Sequence, residues 1–99
     1  MTKKDSDSIN TQTAFMQSFD AIQGAVHGIA CSKGWHDTPR NDGEVIALIH
    51  SEVSEALEAL RNGNKNSKKI QGFSNLEEEL ADVVIRVMDY AGANKMRLC

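Results

Sequence analysis

Between Leu76 and Ala91 the apolar residues occupy more of a helical wheel than a one-sided surface helix needs. At roughly 100° per residue, Leu76, Leu80, Ala81, Val83, Val84, Ile85, Val87, Met88, Tyr90 and Ala91 span about 220°, whereas an ordinary core-facing stripe covers little more than about 100°. Such a helix must be covered on two sides. The rest of the chain is also helical in pattern: proline occurs once, at Pro39, and extended β-branched runs are few. Two further helical segments cover one another only in part, so the wide arc predicts a fourth helix from another copy. The expectation is an all-α helical bundle of about three helices per chain, completed by homo-oligomerisation.

The first of those segments carries Phe15, Phe19, Ile22, Val26 and Ile29 at helical spacing, with Gly34 and Pro39 marking its end. Residues 1–8 are polar and charged and are expected to form a flexible arm, leaving 9–99 as one domain. Ninety-nine residues are too few for two cores. The second segment runs from about Asp42 to Arg61, with Asn41 or Asp42 as N-cap and Gly63 as the stop. The third opens at Ser74, whose spacing to Glu77 predicts a capping box, and ends near Asn94. Eleven Lys and Arg against fourteen Asp and Glu give a net charge of −3, which argues against a nucleic-acid partner. No apolar run is long enough for a membrane span, and the polar N-terminus suggests a cytoplasmic location. Cys31 and Cys99 predict no disulfide framework.

The second and third segments each carry an acidic pair three residues apart, Glu52 with Glu55 and Glu79 with Asp82. That spacing sets two carboxylates on one helical face. On the wheel Glu52 interrupts an apolar arc, Glu55 borders it beside Leu48, and Glu79 lies beside Tyr90. Glu58 and Glu78 fall on the open sides. Acidic pairs usually form solvated faces, but a charge within an apolar arc must be neutralised. Four carboxylates converging between helices suit a hard divalent cation, Mg²⁺ or Mn²⁺. A salt-bridged layer with Arg61, Arg86 or loop lysines is the structural alternative. His50 reads as a packed or supporting histidine. Asp89 reads as solvated or paired with a basic side chain.

The strings LIHSEVSEALEALR and EEELADVVIRVMDYA, with 23 residues between the two pairs, resemble the MazG-like all-α NTP pyrophosphohydrolase superfamily. The preceding segment GWHDTPRNDGE is similar to the phage-type and dCTP-pyrophosphatase-like branch. The resemblance extends from Gly34 to Ala91. It implies a dimer or tetramer, Mg²⁺ dependence, and hydrolysis of nucleoside triphosphates to monophosphate and pyrophosphate. Glu52, Glu55, Glu79 and Asp82 would be the metal ligands, while Trp35, His36, Arg40 and Asn41 would line the substrate pocket. Some members carry an additional Glu where this chain has Ser51. Asn94, Lys95 and Arg97 stand in for a phosphate-contacting segment.

Glu55, at the open edge of its arc, is the first candidate for general base, and Glu52 the second. Arg86 falls between Glu79 and Asp82 on the wheel and is a candidate phosphate contact, with a plain ion pair as the alternative. Lys65, Lys68 and Lys69 are loop cations within reach of a triphosphate, or simply solvated. The alternatives to a general (d)NTP pyrophosphohydrolase are a phosphoribosyl-ATP or dUTP-directed relative, or a non-catalytic helical oligomerisation module.

Overall fold

A computed structural model describes residues 3–99, with side chains from residue 7 onward. Three helices follow in order: α1 (Lys3–Ser32), α2 (Asp42–Arg61) and α3 (Asn75–Ala93). No described helix is long and apolar enough to cross a membrane.

Local chemistry accounts for the boundaries. Asn41 caps α2, its side chain accepting from the Glu44 N–H at 2.8 Å. Ser74 and Glu77 form the capping box of α3. All three helices end in Schellman pairs, which satisfy carbonyls that a helix terminus leaves bare. At the end of α1, Trp35 N–H donates to Ala30 O and Gly34 N–H to Cys31 O; at α2, Asn64 N–H donates to Ala59 O and Gly63 N–H to Leu60 O; at α3, Met96 N–H donates to Ala91 O and Lys95 N–H to Gly92 O. Gly63, with φ +84°, supplies the left-handed residue at the stop of α2.

The polar segment expected to be an arm is helical from Lys3 and continuous with α1; its first two residues, Met1 and Thr2, lie outside the described residues. The 30-residue α1 extends the molecule to 51 × 35 × 23 Å, with a radius of gyration of 16.8 Å. A compact chain of this length would have about 13 Å.

α3 lies between the other two helices, packing on α2 along one side and α1 along the other; among the described residues α1 and α2 do not meet. The two-sided burial inferred from the wide arc is therefore supplied, at least in part, by the chain's own helices. A large apolar surface remains open all the same. Phe15, Ile22 and Ile29 of α1, Ile46, Val53, Leu57 and Leu60 of α2, and Leu80 and Val84 of α3 are all exposed, and among the described residues the buried apolar ones are four alanines, Ala30, Ala56, Ala59 and Ala91.

α1 packs through Phe19, Gln23, Val26, His27 and Ala30 rather than through its full apolar stripe, a face rotated by roughly 60° from the centre of that stripe. Close approach at Gly92 and a polar tie explain the rotation. A Cβ added at Gly92 would lie 2.8 Å from His27 Cβ and 3.3 Å from Gln23 O. Gln23 Nε2 donates to Met96 O at 3.0 Å. Gly92→Ala should therefore lower the melting temperature: overpacking costs about 1–3 kcal/mol, which outweighs the helix-propensity gain of about 1 kcal/mol. Gly28→Ala meets nothing within 4 Å and should raise the melting temperature instead. Thermal unfolding of the two variants checks both signs.

One acidic residue departs from its expected position. Glu78 is buried, because the α2–α3 loop folds over it: Ser67 Oγ donates to its carboxylate, and Lys69 Nζ lies 4.0 Å away. Asp89 is also buried and, of its two readings, takes the pairing with basic side chains: it is held by two histidines, one from α1 and one from the α1–α2 loop. His50, expected to be packed or supporting, is exposed.

Candidate functional site

The two acidic pairs meet where α2 faces α3. A cavity of about 260 Å³ is lined by Glu52, Glu55, Glu79 and Asp82, together with Trp35, Lys69 and Arg86. Oxygens of Glu52, Glu79 and Asp82 lie within 4.8 Å of one another. Glu52 is buried, Glu79 and Asp82 are half-buried, and Glu55 is exposed at the mouth.

Arg86 Nε donates to Glu52 Oε1 at 2.8 Å. The same guanidinium lies over the Trp35 ring, 5.0 Å from its centroid. The ion pair weighed for Arg86 from sequence is thus formed. Of the other weighed partners, Arg61 lies instead 4.0 Å from Glu58 on the exposed side of α2, while the loop residue Lys69 lines the cavity. Neutralisation of the layer is incomplete: Glu52 Oε2 and Glu79 Oε2 are buried and have no hydrogen-bond partner.

Burial is the largest cause pushing the Glu79 carboxyl up to about 7; next come a carboxyl–carboxyl hydrogen bond with Glu55 and the charges of Glu55, Glu78 and Asp82. Such a hydrogen bond requires one of the two to carry a proton. Asp82 is likewise raised, first by burial and then by Glu52 and Glu78, while Lys69 and Arg86 act against the rise. Below about pH 7 a proton on Glu79 relieves part of this repulsion, and above it the Glu79 charge joins the others. The donor set is entirely carboxylate oxygen, two atoms of it orphaned, which fits a hard divalent cation such as Mg²⁺ or Mn²⁺.

A second cavity of about 240 Å³ shares Trp35 and Arg86 with the first. His36 and Arg40 line it, as do Asp42, Asp89, Tyr90 and Asn94. The Schellman turn at the end of α1 sets Trp35 between the two cavities. Asn41 is not among the lining residues; its side chain is engaged as the α2 cap. Tyr90 and Asp42 were not singled out from sequence as pocket residues. Tyr90 OH donates to Asp42 Oδ1 at 3.0 Å, closing one wall between α3 and the start of α2. Tyr90 read as one more apolar position of α3, and its hydroxyl was the only signal that it bordered a polar space.

Comparison with protein-family models, curated proteins and solved structures finds no match for this chain.

Proposed function

We propose that this chain is a magnesium-dependent nucleoside triphosphate pyrophosphohydrolase that hydrolyses (d)NTP to (d)NMP and pyrophosphate, in line with its MazG-like resemblance. The observation that carries the reading is a juxtaposition: an under-neutralised carboxylate cavity adjoins an aromatic, partly cationic one across Trp35 and Arg86. The first suits a metal-bound polyphosphate, the second a nucleoside.

Glu52, Glu55, Glu79 and Asp82 would hold Mg²⁺, and Mn²⁺ suits the same donors. A bound cation would supply charge neutralisation for the triphosphate and lower the pKa of a water. Trp35 offers a ring face for the base, with Tyr90 and His36 on the walls. Arg86 spends its Nε on Glu52, leaving its terminal nitrogens for a phosphate oxygen. Glu55 is exposed at the mouth of the cavity, where water reaches it, so it is the group best placed to accept a proton from an attacking water. Glu52 is second, since one of its oxygens is held by Arg86. In-line attack at the α-phosphorus would release pyrophosphate. The exposed apolar faces support assembly into a homodimer or homotetramer.

Pyrophosphate release from the dNTPs, dUTP and the NTPs, with and without Mg²⁺, tests the reaction. Release that needs Mg²⁺ and disappears in Glu52→Gln supports it, and the panel reports whether a dUTP-directed relative fits better. A non-catalytic helical module is the second reading, favoured by the Glu52–Arg86 ion pair. It predicts no release from any nucleotide and no change of melting temperature with Mg²⁺, whereas metal-binding carboxylates gain several degrees.

A further inference from the structure

Beside Asp89 lies a second group of possible ligands, with donors different from those of the acidic layer. His27 and Cys31 are one helical turn apart on α1, and His36 follows in the next loop. One ligand atom from each lies within 4.8 Å of the others. His27 Nδ1 is 2.9 Å from Asp89 Oδ1, and His36 Nε2 is 2.8 Å from the same oxygen and 3.0 Å from Oδ2. The two rings meet edge to face with centroids 4.9 Å apart. A carboxylate only accepts, so each of these nitrogens donates, and Nε2 is the ring nitrogen of His27 that Asp89 does not engage. That atom lies 3.5 Å from Cys31 Sγ.

We propose that His27 Nε2, Cys31 Sγ and His36 Nδ1, the ring nitrogen of His36 that Asp89 does not engage, form a Zn²⁺ site, with the fourth position open to solvent. Zn–S and Zn–N bonds of about 2.3 and 2.05 Å at a tetrahedral angle put sulfur and nitrogen about 3.5 Å apart, the separation found between Cys31 and His27. One thiolate with two imidazoles selects a borderline-soft metal over Mg²⁺. Asp89 does what a carboxylate commonly does behind a metal-bound histidine: it fixes ring and tautomer from the opposite side. Cys31 is free and exposed, so the metal has an entry path. Zinc bound here would fasten the turn carrying Trp35 to α1 and, through Asp89, to α3.

The test uses reduced full-length protein in excess Mg²⁺, titrated with Zn²⁺ alone and with Co²⁺ alone as the spectroscopic probe. Wild type is expected to take up one Zn²⁺ per chain, to melt higher with it, and to show a thiolate-to-Co²⁺ charge-transfer band. Cys31→Ser, at an exposed position, should lose that band, bind Zn²⁺ at least about tenfold more weakly, and lose the zinc-dependent rise in melting temperature. Asp89→Asn should keep the band while weakening affinity about 10–100-fold. Glu79→Gln should bind Zn²⁺ as wild type does. Zinc uptake that is absent in wild type, unchanged in Cys31→Ser, or lost in Glu79→Gln would overturn the proposal.

Discussion

Glu79→Gln is expected to make the metal-free protein more stable at pH 8 and, at the same time, to abolish Mg²⁺-dependent pyrophosphate release. The sign follows from the direction of the Glu79 shift. Its carboxyl titrates near 7 in the folded chain and near 4.5 otherwise, so between those values the folded state binds more protons. Stability then falls as pH rises through that window, and the full penalty stands above it. Below about pH 4.5 the group is neutral in both states and contributes nothing. Asp82 is shifted the same way and adds to the slope. Glutamine removes the Glu79 contribution, so wild type and variant should melt together near pH 5 and diverge above pH 7. Several degrees are within range, because each kcal/mol moves the melting temperature of a domain this size by roughly 4–8 °C.

Magnesium should reverse the ranking. It stabilises wild type at pH 8 by binding the ionised layer, and the variant, with one donor fewer, should gain less. Pyrophosphate release should fall by about 100-fold or more, since even residues behind a metal ligand cost about 10–100-fold when changed. Calorimetry across pH 5–8.5 with chelator or Mg²⁺, beside a release assay, reads both halves. Glu58→Gln, an exposed acid on the open side of α2 and outside the acidic cavity, is the control and should alter neither. A variant less stable than wild type at pH 8 without metal would mean that the layer is already neutralised, and the cation reading would fail with it.

Elements governed by neighbouring residues were legible in the sequence. Asn41, Ser74 with Glu77, and Gly63 mark helix ends through hydrogen bonds that span a few positions, and they form as read. The two acidic pairs were legible for a related reason: three-residue spacing puts carboxylates on one face, and a wheel shows which of them meet an apolar arc. Periodicity says which face of a helix is apolar but not what covers it. Hence Phe15, Ile22 and Ile29 mark the apolar stripe of α1, while the helix packs through Gln23 and Ala30, where Gly92 admits close approach. Glu78 was read as solvated because no wheel shows a loop folding back from another part of the chain. His27, His36 and Asp89 meet from three separate elements, and their separations of 53 and 62 residues from Asp89 leave no trace in local pattern.

The same limit bears on assembly, where the expected result is that the protein sediments as a dimer or larger at micromolar concentration. Ile46, Val53, Leu57 and Leu60 recur along one face of α2, each about half exposed, and soluble monomers rarely leave so continuous an apolar face bare. Completing the burial of such a side chain contributes about 1 kcal/mol, half the full value for its type. In an isologous pair each substitution counts twice. Val53→Asp with Leu57→Asp therefore alters four sites and should cost association about 4 kcal/mol, close to a thousandfold. Because both positions are exposed in the single chain, the variant should remain helical while sedimenting as a monomer. If monomers lose pyrophosphate release but keep Mg²⁺ binding, the acidic layer belongs to each chain and the nucleotide pocket to the assembly. Wild type sedimenting as a stable monomer would refute the oligomer and leave the α2 face in need of another partner.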